Sequence, residues 1–328
     1  MKHLITTFRF GVAGAMMLLL AAPASFAQAY PSRPVRIIVS LAPGGTGDVV
    51  GRLLAQGLQT RMNQSFVVEN RPGAGGQIGS ETVARSAPDG YTLVISSPGG
   101  FTILPALRPK VPYDPIKDFT HVSNVARNPL VFAVAPAVPV RDMTELIKYA
   151  KAKPGAIRYG SAGVGSVLHL ATELVIERTG IEMIHIPFKG GVPVIQALIS
   201  GEIEMGVGGP VDMPKRAATG ALRMIGQTSP TRHPLIPNVP TLAEAGLGDV
   251  AVMGWFGLSA PAGLPVAVLG RLHKETIAFL EDAEVKSRLT ALGCEPAPMT
   301  PPEFTRLIAE ETRMWAKTFK AKGITPED

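Results

Sequence analysis

The sequence predicts an α/β fold in two lobes, each a mainly parallel sheet flanked by helices, and three observations carry that prediction. Short apolar runs rich in β-branched residues end repeatedly in glycine turns, and several of these turns lead into apolar residues at helical spacing. The series breaks at Asn128-Pro129 and resumes as a second run of βα units, which sets a domain crossing there. A C-terminal stretch then holds helices without strands of its own, so it must return to cover the first lobe and make that lobe discontinuous. The expected division is 30–128 plus 252–328 for lobe 1 and 129–251 for lobe 2.

The chain opens on a leader. Lys2 and Arg9 make a basic start, residues 10–22 are apolar with small residues, and Ser25-Phe26-Ala27 or Ala27-Gln28-Ala29 supplies a small-x-small site. This pattern is a secretory signal peptide over 1–27, with cleavage after Ala27 or after Ala29. No later window is long and uncharged enough to span a membrane, so a soluble exported protein is expected.

Residues 35–41 (VRIIVSL) read as a buried strand, and Pro43, Gly44, Gly45 and Gly47 break the backbone after it. From Asp48 the residues Val49, Leu53, Leu54 and Leu58 recur at helical spacing. Such a unit is either a tight connection with Asp48 as helix cap or an anion site, because a helix start leaves N–H groups free and glycines let a ligand approach them. Residues 65–69 form a second strand before the turn at 71–76 and a helix through Val83 and Ala84. A third strand over 91–96 closes in the small, flexible loop Ser96-Ser97-Pro98-Gly99-Gly100. Residues 105–115 carry four prolines and are expected as a surface excursion, not a helix. Extended segments at 119–125 and 130–135 flank the crossing.

In the second series, 142–151 is a helix and 157–161 a strand running into Gly160-Ser161-Ala162-Gly163-Val164-Gly165-Ser166, followed by Val167, Leu168, Leu170, Ala171 and Leu174 on a helix. Ser161 and Ser166 can add hydroxyls at that helix start. A strand at 184–188, a turn at 189–191, a helix at 192–199 and strands at 203–207 and 222–227 around a short helix at 211–219 complete it. Residues 250–259 are extended, and helices follow at 267–280, 284–292 and 302–319.

Net charge is +6, falling to +4 without Lys2 and Arg9, and it is spread along the chain with 6% aromatic residues, which argues against a nucleic-acid partner. The single Cys294 excludes an internal disulfide and reads as an idle or buried thiol. The glycines from Gly73 to Gly79 miss the dinucleotide spacing, no histidine pair has metal spacing, and no G-x-S-x-G occurs. No cofactor is expected, and with no catalytic pair in view the sequence favours binding over turnover.

The run VRIIVSLAPGGTGDVVGRLLAQ, with ENRPGAGGQIGSETVARSAPDGYTL, YGSAGVGSVLHLATEL, IPFKGGVPVIQALISGEIEM, VPTLAEAG and WFGLSAPAGLP in that order, resembles the tripartite tricarboxylate transporter substrate-binding receptors, the Bug family. The resemblance covers essentially the whole mature chain. It implies a periplasmic-binding-protein fold of Venus-flytrap, type II-like form that clamps a small carboxylate between its lobes and delivers it to the transporter's membrane subunits. Carried over by position, Pro43, Gly44, Gly45, Thr46 and Asp48 would form the first carboxylate loop, Ser96, Ser97 and Gly99 would line the same lobe, and Ser161, Ala162, Gly163, Ser166 and His169 the facing one. Two departures stand out. Leu41 replaces an aromatic residue found in many relatives, and Gly208, followed by Gly209 and Pro210, replaces an aspartate. Both point to a non-amino carboxylate, aromatic or larger acids included. The protein is expected as a monomer, with a sensor-kinase ectodomain as the alternative partner and a secreted hydrolase or isomerase as the alternative class.

Overall fold

The computed structural model describes residues 30–323 apart from 42, 109, 189, 190, 212, 249 and 251. The signal peptide expected over 1–27, residues 324–328, and Lys189 and Gly190 of the expected turn lie outside the described residues.

Strands β1 (Val35–Val39), β2 (Phe66–Asn70) and β3 (Thr92–Ser96) pair in parallel in the order β2-β1-β3. Val35, Ile37, Ile38 and Val39 are fully buried, as expected of a strand inside a layered sheet. Helix α1 (Thr46–Met62) follows β1 and α2 (Gln77–Ala84) follows β2. Helix α1 begins two residues before the expected Asp48, with Gly45 as its N-cap, because the Gly45 carbonyl already accepts the N–H groups of Asp48 and Val49.

Two sequence expectations fail after β3. The end of the loop expected at 96–100 and the start of the proline-rich excursion are helical: Gly99–Ile103 has π geometry and Leu104–Leu107 continues as α-helix. Pro105 sits in the first turn of the α segment and has no N–H to give the preceding π turn. The Tyr113 hydroxyl donates to the Gly100 carbonyl at 2.6 Å and holds the stretch from outside. Strand β4 (Phe119–Pro129) also runs through the break expected at Asn128-Pro129, since a proline at the last strand position costs little.

Leu130 is the crossing point. The second sheet contains β5 (Val131–Val134), β6 (Arg158–Ser161), β7 (Ile184–Pro187), β8 (Met205–Gly208) and β9 (Arg223–Gln227) in the order β7-β6-β8-β5-β9. Only β5 opposes the others in direction. Its helices are α3 (Met143–Ala152), capped by Asp142, α4 (Val167–Thr179), capped by Ser166, α5 (Gly191–Ser200) and α6 (Met213–Ala218). Phe132, Tyr159, Leu170 and Leu198 lie in its core.

The chain then returns. Strand β10 (Met253–Pro261) inserts between β3 and β4, antiparallel to both, and helices α7 (Val266–Glu281) and α8 (Ala283–Ala291) follow. Strand β11 (Glu295–Pro296) adds an edge to β4 where the sequence suggests only a loop, because Glu295 pairs there with Arg127. The order is β11-β4-β10-β3-β1-β2, in which β2, β1, β3 and β4 share one direction. Helix α9 (Pro301–Lys322) packs on β4 and on the 99–107 stretch, burying Phe304 and Ile308 with Phe101 and Trp255.

Candidate functional site

The turns that leave β1, β2 and β3 meet. A Cβ on Gly79 would lie 2.7 Å from the Ser40 Cβ, and one on Gly99 would lie 2.8 Å from the Gly75 carbonyl oxygen, so backbone of three loops converges where only glycine fits. Pro43, Gly44 and Gly45 are exposed at this edge and Thr46 is half-exposed. Leu41 lies across Gly47, and Phe256 closes the other side.

Asp48 is not free for a ligand. It is 3% exposed, its Oδ2 accepts the Gly44 N–H at 2.9 Å and Arg52 Nε at 3.1 Å, and its Oδ1 accepts Asn70 Nδ2 at 2.8 Å. Burial alone would raise its pKa, but these donors outweigh burial and hold the carboxyl below its ordinary value. Asp48 therefore pins the first loop from beneath. Ser96 is likewise spent inside the lobe, its hydroxyl donating to the Gly257 carbonyl at 3.0 Å. Ser97 is buried and its carbonyl accepts the Phe101 N–H, while Gly99 is half-buried.

The glycine loop of the second sheet is built from β6 and the start of α4. The Gly163 N–H donates to Ser161 Oγ at 3.2 Å, the Ser166 N–H to the Gly163 carbonyl at 3.1 Å, the Gly165 N–H to His169 Nδ1 at 3.2 Å, and the His169 N–H to Ser166 Oγ at 3.2 Å. Gly163 has φ +114 and Gly165 φ +72, values that favour glycine. Ala162 and Gly163 remain half-exposed at the tip. A Cβ on Gly165 would lie 3.0 Å from Leu107 Cδ2, so this loop abuts the helical stretch that follows β3.

Beneath the loop lies a polar stack that the sequence did not announce. His169 and His185 stack with ring centroids 4.1 Å apart, and Tyr159 stacks on His185 at 4.9 Å. His185 Nε2 lies 2.7 Å from Ser161 Oγ, and the Tyr159 hydroxyl donates to Glu173 Oε1 at 2.5 Å. Burial pushes His169 down to about 4, and burial with the neighbouring His169 does the same to His185. Both rings are neutral near pH 7. The pairing Tyr159↔His185 in the β6–β7 register creates this cluster, and alternation along β7 was the only sequence signal for it.

Gly208 ends β8, two residues past the parallel pair Gly160↔Gly206, and is buried; a Cβ there would meet Met213 Cε at 2.9 Å and Ile195 Cδ1 at 3.5 Å. Pro210, two residues on, lies under Gly293 of the first lobe. Cys294 is fully buried with its thiol pushed up to about 12 by burial. Among the described residues no group of three His, Cys, Asp or Glu could hold a metal, and no helix is long and apolar enough to cross a membrane.

The sequence profile of the tripartite tricarboxylate transporter family receptors, TctC, matches residues 50–324. The chain belongs to this family. Its family relatives include Protein BugT of Bordetella pertussis, 35% identical over 305 residues that cover 93% of each chain. Two solved receptor-like structures are similar throughout. R. palustris Rpa4515 with adipate is 33% identical with a TM-score of 0.81, covering 90% of this chain and 99% of that one. MatC (Rpa3494) from Rhodopseudomonas palustris with bound malate is 31% identical with a TM-score of 0.76, covering 88% and 99%. The TctC receptor family thus accounts for the two-sheet architecture, and it is a family of substrate-binding transport receptors.

Proposed function

We propose that this TctC receptor works in the periplasm, captures a small non-amino carboxylate between its lobes without turning it over, and delivers it to the membrane subunits of a tripartite tricarboxylate transporter. The lobes would be 30–128 with 252–328 and 129–251, and the ligand would meet the loop 41–48 and the 97–99 turn on one side and 161–169 on the other. The observation that carries this reading is that Gly165 of the second lobe seats against Leu107 just past the first lobe's converging turns. The helix start at Thr46 offers N–H groups and partial positive charge to an anion. Arg52 beside it already serves Asp48, so backbone donors and water would hold the carboxylate.

An amino group would need an anionic partner. Asp48 is engaged by three donors and Glu173 by Tyr159, and Leu41 adds an apolar wall, which supports a ligand without an ammonium group. The adipate and malate carried by the two similar structures are of that class. Isothermal titration of the purified protein with adipate, malate, aspartate and glutamate tests the reading. Micromolar affinity, about 8 kcal/mol, is expected for a non-amino acid; tight binding of the amino acids alone would overturn it.

A further inference from the structure

Ser161 carries one hydroxyl proton and two lone pairs, and three protein atoms surround its oxygen: the Gly163 N–H at 3.2 Å, the Gly163 carbonyl at 3.1 Å and His185 Nε2 at 2.7 Å. One arrangement satisfies all three. The hydroxyl donates to the Gly163 carbonyl, and Oγ accepts from the Gly163 N–H and from a proton on His185 Nε2. If Ser161 donated to His185 instead, two oxygens would face each other at 3.1 Å with no proton between them. Ser161 is fully buried and has no further hydrogen to offer.

We propose that His185 is a positioning residue which, through Ser161, sets the Gly163 turn in the shape that receives the carboxylate, and that Ser161 itself donates no hydrogen bond to the ligand. The inference rests on the reading that the 161–169 loop faces the ligand. His185 is held for this role by Tyr159 and His169, whose ring centroids lie 4.9 and 4.1 Å from its own, with Glu173 as the charged group nearby. Its Nε2 proton is kept in either protonation state of the ring, so the contact with Ser161 outlasts titration. The Gly163 turn then depends on a residue 24 positions beyond Ser161, on the neighbouring strand.

A double-mutant cycle tests this, read as adipate and malate Kd by calorimetry. Ser161→Ala and His185→Phe should each weaken binding by about 3- to 10-fold, the size of one ordinary hydrogen bond. The double variant should be no weaker than either single one, because both remove the same contact. His185→Gln, whose amide N–H reaches where Nε2 does, should restore most of the loss. Additive losses, or a loss in Ser161→Ala alone, would show that Ser161 contacts the ligand directly and would overturn the proposal. If His185→Phe does not fold, His185→Leu replaces it in the cycle. A ligand-free readout separates this inference from the functional reading: deuterium exchange at 161–166 should quicken in His185→Phe and not in His185→Gln. Should the wild type bind neither acid, the functional reading falls, and unchanged exchange in His185→Phe would overturn the positioning role on its own.

Discussion

At His169 the ring nitrogen Nδ1 must stay unprotonated to accept the Gly165 N–H, so acid acts on the loop through this one atom. His121, His169 and His185 all sit at about 4 against an ordinary 6.5, chiefly because burial disfavours the imidazolium. The unfolded chain takes up these protons as pH falls through about 6.5, and the native state does so only near 4. Their contribution is therefore complete above about 6.5 and declines between those two values. Urea titrations from pH 7 to 4.5 should show the decline. His169→Asn keeps an acceptor near Gly165 and removes the titration, so its slope should be shallower by one proton's worth, about 1.4 kcal/mol per pH unit; an unaltered slope would mean that His169 titrates as in a peptide. His169 was legible in the sequence as a residue at a helix start. Its task was not, since nothing in the chain shows which ring nitrogen meets the Gly165 N–H.

Among the elements, α9 governs how the first lobe presents its turns. Glu311 lies within it, accepts Trp255 Nε1 at 2.9 Å and Thr102 Oγ1 at 3.2 Å, and so ties β10 and the 99–107 stretch to one helix. Burial pushes this carboxyl up to about 7, against the pull of both donors. A raised acid stabilises the fold below its unfolded value and loses that contribution as pH rises through about 7. Glu311→Gln keeps an acceptor and cannot ionise, so its advantage over wild type should be greatest at pH 8. Glu311→Leu strands the Trp255 N–H, while the Thr102 hydroxyl keeps the Pro98 carbonyl, and should cost about 1–3 kcal/mol in urea unfolding at pH 6. Equal midpoints for wild type and both variants would remove Glu311 from this role. The strand-turn-helix units were readable because apolar period and glycine punctuation agree within one segment. The helical stretch at 99–107 was not, because one proline and two glycines read locally as breakers while the contacts that hold it come from outside it, from Tyr113 and from Glu311 far along the chain. Strand β11 escaped for the same reason: two residues have no period, and Arg127 defines them.

For the molecule as a whole, the two sheets are joined at Leu130 and again before β10, with Leu130 and Thr228 exchanging hydrogen bonds at 2.9 and 3.0 Å. Ile103, Trp315 and Phe319 continue the apolar core of the second sheet into the first lobe, with Leu107 packed beside them. The proposed capture between lobes needs that seam to mate on closure, because a ligand shifts the equilibrium only by its differential contact with the closed form. Leu107→Trp adds bulk opposite Gly165 without straining the backbone. It should weaken carboxylate binding at least about tenfold, roughly 1.4 kcal/mol, and abolish the ligand-induced compaction seen by small-angle scattering. Retained compaction would place closure elsewhere.

The position of β10 bears on the order in which this polypeptide becomes a protein. All five strands of the second sheet are present once residue 227 has been made, whereas the first sheet lacks the strand between β3 and β4 until residues 253–261 arrive. A chain emerging N-terminus first can thus pair the strands of its middle before those of its beginning. The early strands β1 to β3 wait with an open edge, and nearly the whole polypeptide must be made before the first lobe can close its sheet.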